Sequence, residues 1–278
     1  MDFLKVVFHH LYNRKTLVLV AFAILLSACQ FQGEATPTAT AIPTATPIPT
    51  PIVASLAGSH IIFNDEFDGD GLKRNKWTDE YLWGRTNPPE LQYYAPNALV
   101  VNHGILSIKA ENTPTQGMAY SSGVITSFKS FQFTYGYVEA RIRIPSGQGL
   151  WPALWLLDVE GSADEIDIVE FLGHQPDVAY MTLHYPDQGG NNQETKDGHY
   201  HGPDFSAEYH IVSVDWNPSA IIWYIDGVER YRHTHDIPDA PMYLLANLAV
   251  GGDWPGSPDD TTYFPASYNI DYIRVFQK

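Results

Sequence analysis

Three carboxylates occupy six positions of an apolar, β-branched segment, Glu165-Ile-Asp-Ile-Val-Glu170. Side chains in a strand alternate between its faces, so Glu165 and Asp167 point one way while the isoleucines point the other, into a core. Glu170 is out of phase by one residue, and a regular strand would bury it with the isoleucines. A β-bulge that takes up one extra residue, most simply Val169, returns Glu170 to the carboxylate face.

Three acids on one strand face fit the chemistry of a retaining glycosidase. The outer two, Glu165 and Glu170, are about four strand steps apart, roughly 13 Å between α-carbons. On a concave strand their side chains converge, and retaining glycosidases hold the nucleophile and the acid/base carboxyl about 5 to 5.5 Å apart. The alternative is a solvated edge strand whose acids only keep it soluble.

The sequence around these acids resembles glycoside hydrolase family 16, and the resemblance extends over most of residues 60 to 278. That family carries its catalytic residues as Glu-x-Asp-x-Glu or, with one inserted residue, as Glu-x-Asp-x-x-Glu. This chain has the longer form, which is typical of the laminarinase group. One departure is Val124, where many laminarinases have an arginine. The other similar segments are residues 63–67, 90–94, 150–157, 171–174, 182–184, 247–252, 254–256 and 270–275.

The resemblance implies double displacement with retention, in which Glu165 is the nucleophile, Glu170 is the acid and then the base, and Asp167 assists. It implies a substrate site beside these acids. The expected substrate-binding residues are Trp151, Trp155, His184, Trp254, Asn247, Glu90, Asn87 and Arg85.

The resemblance also implies one structural calcium ion, held by Glu66, Gly104 and Asp271, since calcium prefers hard oxygen ligands. The alternative is that the two carboxylates simply accept backbone hydrogen bonds. Zinc is disfavoured, because the spacing of the 11 histidines offers no set of three or four ligands. No cofactor is expected for catalysis.

The periodicity predicts an all-β fold. Residues 137–144 alternate strictly, and Asp226-Gly227 lies between two apolar runs as a hairpin turn. Residues 209–216, 242–250 and 268–276 predict further strands, and no segment of twelve residues has a helical period. We expect two antiparallel sheets packed face to face, and the resemblance specifies a jelly-roll sandwich with a substrate cleft across its concave sheet.

The N-terminal region predicts export. Residues 1–28 read as a signal peptide, because Arg14 and Lys15 precede a short uncharged apolar run. The run ends in Leu-Ser-Ala-Cys29, which resembles a bacterial lipobox and predicts lipidation of Cys29. Residues 29–57 are rich in threonine and proline and predict a disordered linker, which leaves residues 58–278 as the catalytic domain. The expected location is the bacterial cell envelope.

A formal net charge of −16 argues against nucleic acid and dense anionic polymers as partners. A neutral β-glucan fits best, with laminarin-type β-1,3-glucan as the first choice and mixed-linkage β-1,3-1,4-glucan as the runner-up. Agar-type galactan hydrolysis, transglycosylation and a non-catalytic glucan-binding lipoprotein are the remaining alternatives. The chain is expected to be a monomer that meets the membrane only through its lipid.

Overall fold

Strands dominate the part of the chain that the structure describes, as the alternating pattern predicts. The structure is a computed structural model of the 278-residue chain and describes residues 56, 58–159, 161, 164–187 and 189–278. The predicted signal peptide, Cys29 and all of the predicted linker except Leu56 lie outside the described residues. The described residues contain no α-helix, and a search of them finds no helix with the length and apolar character needed to cross a bilayer.

The described residues form seventeen strands. In chain order they are β1 (His60–Asp65), β2 (Gln92–Tyr94), β3 (Leu99–Asn102), β4 (Ile105–Ala110), β5 (Tyr120–Ser122), β6 (Val124–Thr126), β7 (Gly136–Arg143), β8 (Leu150–Asp158), β9 (Glu165–Phe171), β10 (Val178–Pro186), β11 (Asn192–Glu194), β12 (His199–His201), β13 (His210–Asn217), β14 (Ala220–Ile225), β15 (Val228–His233), β16 (Met242–Val250) and β17 (Ala266–Gln277). A short 3-10 helix, Pro96–Ala98, joins β2 to β3.

The strands assemble into two antiparallel sheets. The first has the order β15-β14-β13-β7-β17-β4-β3, and β1 also pairs with β17. The second has the order β11-β10-β9-β8-β16-β6, and β12 also pairs with β10. A parallel pair, β2 and β5, stands apart from both. The predicted two-sheet jelly-roll sandwich is confirmed.

One hydrophobic core joins the two sheets. Val138 and Ile142 of β7 and Ile273 of β17 belong to the same buried cluster as Leu154 of β8 and Ile166 of β9. Each strand contributes alternate side chains, so the face of β9 opposite its acids is fixed by apolar packing. A slip of one residue would place charge in this core, and the register is therefore strongly specified.

The predicted Asp-Gly hairpin is confirmed between β14 and β15. Asp226 and Gly227 both have positive φ, 52° and 74°, as the tight two-residue hairpin turn requires. On the face of β7 opposite Val138, Glu139 is only 2% exposed. The hydroxyl of Tyr272 donates to this carboxylate at 2.9 Å and covers it.

A second, smaller apolar cluster lies on the other side of the second sheet. It explains why every residue of β16 is buried. Tyr243 and Leu245 of β16 pack here with Trp155 of β8, with Tyr94 of β2 and with Tyr81 from the segment before β2. Because Trp155 pairs with Asp167, this cluster lies on the face of the second sheet that carries the acids.

Candidate active site

The predicted bulge is present in β9, and it places all three acids on one face. Against β8, Trp155 pairs with Asp167 and Ala153 with Glu170, while Leu154 faces both Ile168 and Val169. The ladder skips Ile168, so the extra residue is Ile168 rather than Val169. Both bulge side chains are buried in the core, at 2% and 0% exposure.

Neighbouring strands complete the face. On β10, Thr182 pairs with Asp167 and His184 pairs with Glu165, so both residues lie beside the acids. A pair of facing residues on adjacent strands has its side chains on the same side of the sheet. The hydrogen bond from Trp223 Nε1 to the backbone oxygen of Asp167, at 2.8 Å, fixes the centre of the bulged strand from the core side.

Glu165 and Asp167 form a tight acidic pair. Their carboxyl groups hydrogen-bond to each other, and the side chain of Glu165 remains 30% exposed to the cleft while that of Asp167 is 3% exposed. Burial, and then the charge of Asp167, raise the pKa of Glu165 to about 8, while His184 acts in the opposite direction. Burial also raises the pKa of Asp167.

His184 stands over this pair. Its Nε2 is 3.1 Å from Asp167 Oδ2 and 3.9 Å from Glu165 Oε1. The approach to Asp167 lacks hydrogen-bond geometry, so that Oδ2 has no hydrogen-bond partner within the described residues. On its far side, Nδ1 lies 3.8 Å from Glu194 Oε2.

Glu170 is placed to keep its proton. It is 9% exposed, and burial followed by the charges of Asp167 and Glu165 raises its pKa well above the ordinary value. Trp151 Nε1 donates a hydrogen bond of 2.9 Å to Glu170 Oε1 and orients the carboxyl. Because Glu170 feels two other carboxylates and is the less exposed of the two glutamates, it holds its proton to higher pH than Glu165.

Two cavities flank the acids, and Trp151, Glu165 and Glu170 line both of them. The cavity on the β10 side has a volume of about 490 Å³, and the cavity on the β16 side has a volume of about 410 Å³. The acids therefore lie in the middle of a groove that runs across the second sheet. An extended polymer crossing the sheet would pass over them.

The β10 side is built from aromatic and polar side chains. Trp254, 42% exposed, meets the ring of Trp151 edge-on with centroids 5.4 Å apart and the ring of Tyr180 at 4.9 Å. These rings form a small aromatic group next to Glu170. Aromatic rings of this kind suit the apolar faces of sugar units.

The β16 side holds Asn247, Glu90 and Asn87 in one hydrogen-bond network. Trp155 Nε1 donates to Asn247 Oδ1 at 2.8 Å, and Asn247 Nδ2 donates to the hydroxyl of Tyr94 at 3.2 Å. That hydroxyl donates to Glu90 at 2.9 Å, and Asn87 donates to the other oxygen of Glu90, also at 2.9 Å. Trp155, Asn247, Glu90 and Asn87 all line this cavity, and their binding of substrate stays a prediction.

Arg85 does not join them. Its guanidinium binds the Asp79 carboxylate at 3.0 Å and the backbone oxygens of Asp79 and Tyr94 at 2.7 and 3.0 Å. It lines neither cavity. Its donors hold the segment that carries Asp79 and Tyr94, and substrate binding by Arg85 stays a prediction.

The predicted calcium ligands are also engaged elsewhere. Glu66 accepts two hydrogen bonds from Arg274, at 2.9 and 2.7 Å, and Asp271 accepts one from Arg141 at 2.5 Å. Gly104 does lie beside the main chain of Glu66, since a Cβ built on it would be 3.9 Å from the Glu66 backbone oxygen. Two guanidinium groups against these carboxylates oppose a cation held by the same side chains.

Several groove residues were not predicted from the sequence. Tyr81 comes from the segment before β2, and the others come from β10 and from the segment that returns along it. In the returning segment the backbone N–H of Thr195 donates to the backbone oxygen of Leu183 at 3.0 Å. This segment is polar and lacks alternation, so the only available signal was its position after the histidine strand. The unpredicted residues are Tyr81, Tyr180, Glu194, Thr195, Lys196 and His199.

Comparison with known proteins agrees with this geometry. The family model for glycosyl hydrolases family 16 matches residues 91–274. A glucan endo-1,3-beta-glucosidase A1 from Niallia circulans is 35% identical over 269 residues, which cover 82% of this chain and 39% of that protein. A beta-glucanase from Rhodothermus marinus is 34% identical over 245 residues, which cover 78% of this chain and 85% of that protein.

A solved structure is similar as well. The catalytic domain of an endo-1,3-beta-glucanase (laminarinase) from Thermotoga petrophila superposes with a TM-score of 0.71 at 34% identity, covering 79% of this chain and 98% of that one. The chain spans less than half the length of the Niallia circulans protein. Together with the bulged row of acids in β9, these matches show that the chain belongs to glycoside hydrolase family 16.

Proposed function

We propose that this chain is a retaining endo-β-glucanase that hydrolyses laminarin-type β-1,3-glucan. The observation that carries the proposal is the position of Glu165 and Glu170, which lie on one strand face in the middle of a groove that extends to both sides of them. A groove open on both sides admits the interior of a polymer, which supports endo action.

The first step is attack on the anomeric carbon by Glu165. As the bond to the departing oxygen breaks, Glu170 gives its proton to that oxygen, and a covalent glycosyl-enzyme forms on Glu165. The strongly raised pKa of Glu170 supports the acid role. The greater exposure of Glu165, together with His184 near its Oε1, supports ionisation of Glu165 before Glu170.

The second step is hydrolysis of the intermediate. Glu170, now ionised, takes a proton from water as the water oxygen attacks the anomeric carbon, and the bond to Glu165 breaks. The product keeps the β configuration and both carboxyl groups return to their starting states. Asp167 holds Glu165 by a hydrogen bond, and Trp151 holds Glu170.

The substrate class rests on the relatives and on charge. The Niallia circulans and Thermotoga petrophila proteins are named as endo-1,3-β-glucanases, and the aromatic groups on the groove suit neutral sugars. Initial rates of reducing-end release from laminarin, lichenan, barley glucan and agarose test the assignment, with Glu165→Gln as the inactive control. Faster hydrolysis of barley glucan than of laminarin would move the assignment to mixed-linkage glucan, and binding without release of sugar would remove the enzymatic proposal.

We also propose that the protein is exported and anchored to the cell envelope through a lipid on Cys29. The support is the short apolar run and the Leu-Ser-Ala-Cys sequence at residues 26–29. A Cys29→Ser variant should appear in the soluble fraction and take up no labelled fatty acid, whereas the native chain should partition with membranes. Label in the Cys29→Ser variant would contradict the anchor.

The proposed reaction uses no cofactor. Calcium at Glu66, Gly104 and Asp271 stays a prediction that the two arginine pairs oppose. Melting temperature measured with calcium chloride and with a calcium chelator tests it. With the carboxylates already paired, we expect the same Tm in both, and a clear rise with calcium would restore the ion.

A further inference from the structure

A carboxylate-histidine cluster in the groove has the composition of a transition-metal site. Glu165, Asp167 and His184 each offer one ligand atom, and these atoms lie within 4.8 Å of one another. We propose that this cluster binds one divalent zinc ion, and that the bound ion inhibits the enzyme by occupying the nucleophile.

The spacing of the ligand atoms suits zinc. Bonds of about 2.0 to 2.2 Å to nitrogen and oxygen in a tetrahedral site place ligand atoms about 3.3 to 3.6 Å apart. His184 Nε2 is 3.1 Å from Asp167 Oδ2 and 3.9 Å from Glu165 Oε1, and all three ligand atoms lie within 4.8 Å of one another, so a contraction of the cluster around the ion reaches that spacing. The fourth position would face the cavity of about 490 Å³ and hold water.

An independent observation points to a cation. Asp167 is 2% exposed, and its Oδ2 has no hydrogen-bond partner within the described residues although it faces His184 Nε2. A buried carboxylate oxygen without a donor is costly, and a metal ion bound between this oxygen and the imidazole removes that cost.

The surroundings also resemble the support that metal sites require. A histidine that binds metal through one nitrogen usually directs the other toward a carboxylate, and His184 Nδ1 is 3.8 Å from Glu194 Oε2. The backbone of Asp167 is fixed by the indole of Trp223 at 2.8 Å. Two of the three ligands therefore have neighbours that restrict their orientation.

The ligand set selects against calcium, which takes six to eight oxygens. Zinc accepts one imidazole and two carboxylates as three protein ligands. Once Glu165 Oε1 binds the ion, its electron pair is no longer available for attack on the anomeric carbon. Zinc binding follows from the geometry alone, whereas its inhibitory effect rests on the proposed function.

Titration calorimetry of the full chain with zinc chloride tests the site. We expect one ion per chain. His184→Ala, which removes a ligand, should weaken zinc binding by about 100-fold, and Glu194→Gln should weaken it by about 10-fold, because a neighbour that orients a ligand contributes to affinity. The native chain saturated with calcium chloride should keep the same zinc affinity.

Two other histidine pairs provide matched controls. The rings of His199 and His201 have centroids 5.9 Å apart, and those of His233 and His235 have centroids 4.0 Å apart. His201→Ala and His235→Ala should leave zinc affinity unchanged. The proposal is overturned if the native chain binds no zinc, if binding survives His184→Ala, or if either control variant loses it.

Inhibition of the enzyme by bound zinc is tested by measuring laminarin hydrolysis at increasing zinc concentrations. Zinc should raise the apparent KM without changing kcat, and excess chelator should restore the rate. Zinc that binds without slowing hydrolysis overturns the inhibitory role. A native chain that binds zinc at His184 but releases no sugar from any glucan would contradict the proposed function and still support the metal site.

Discussion

The acids near the first sheet and the acids in the groove of the second sheet have different partners. This difference distinguishes carboxylates that stabilise the fold from carboxyl groups placed for catalysis. Beside the first sheet, directly after β1, Glu66 accepts two hydrogen bonds from Arg274 of β17, whose side chain is only 7% exposed. In the groove of the second sheet, the ion-pair contacts of Glu165 and Asp167 within the described residues involve His184 alone. Glu170 has a tryptophan N–H as its donor.

These partners shift the pKa of Glu66 and the pKa of Glu165 in opposite directions. The guanidinium of Arg274 holds the pKa of Glu66 below its usual value, so this carboxylate stays charged and fixed. Burial without a cation raises the pKa of Glu165 to about 8. The same residue type is therefore an ion-pair partner beside the first sheet and a group poised for proton exchange on the second.

The largest expected effect is on catalysis. Replacing Glu165 or Glu170 with glutamine removes the nucleophile or the acid/base group while keeping the shape of the side chain. We expect kcat/KM on laminarin to fall on the order of 10³- to 10⁴-fold in each variant. Initial rates measured beside circular dichroism check that activity, and not folding, has been lost.

Glu66, which is paired with Arg274, supplies the control for these two variants. Glu66→Gln should keep kcat/KM within about twofold, because Glu66 directly follows β1 of the first sheet and lines neither groove cavity. A large loss of activity in Glu66→Gln, or substantial activity in Glu165→Gln, would erase the distinction between the two sets of acids.

A pH-dependent effect on stability should come next in size. The folded-state pKa of Glu165 is about 8, against an ordinary value of 4.5, so the folded protein binds more protons there than the unfolded chain. Stability from this group is present below about pH 4.5 and is lost as the pH rises toward 8. Glu165→Gln cannot ionise, and at pH 9 it should exceed the native chain in free energy of unfolding by about 1 to 3 kcal/mol.

Denaturant unfolding at pH 5 and pH 9 measures this difference. The gap between Glu165→Gln and the native chain should widen with pH. A gap that is constant between the two pH values would mean that burial does not shift this carboxyl.

The smallest expected effect is the destabilisation caused by Glu66→Gln. It leaves the buried guanidinium of Arg274 with a neutral partner and should lower the free energy of unfolding by about 1 kcal/mol near pH 7, since Glu66 itself is partly exposed. Urea unfolding checks the value. An unchanged midpoint would show that the ion pair contributes nothing to stability.

The sequence predicted what depends on alternation. The isoleucines of β9 require a core on one side, and three acids cannot enter that core, so a bulge was the only arrangement without buried charge in it. Asp226-Gly227 predicted its hairpin because both positions need positive φ. The strand at residues 242–250 was predicted with the observed bounds.

Contacts between distant segments were harder to predict. The sequence around Arg85 gives no sign that its donors bind the Asp79 carboxylate and two backbone oxygens. The burial of Glu139 depends on Tyr272, which lies far along the chain and donates a hydrogen bond to this carboxylate. The segment that contains Glu194 and His199 has no alternation of apolar residues. Its pairing with β10 therefore could not be predicted from the sequence.

The assignment of roles within the bulged strand is tested most directly by chemical rescue. Glu165→Ala should be inactive on an aryl β-laminaribioside until azide is added, and the azide should then attack the anomeric carbon in place of the missing carboxylate. We expect an α-glycosyl azide from Glu165→Ala and a β-glycosyl azide from Glu170→Ala. The coupling constant of the anomeric proton in the NMR spectrum distinguishes the two products. A β-azide from Glu165→Ala would contradict this assignment, because attack would then have followed a glycosyl-enzyme formed on another residue.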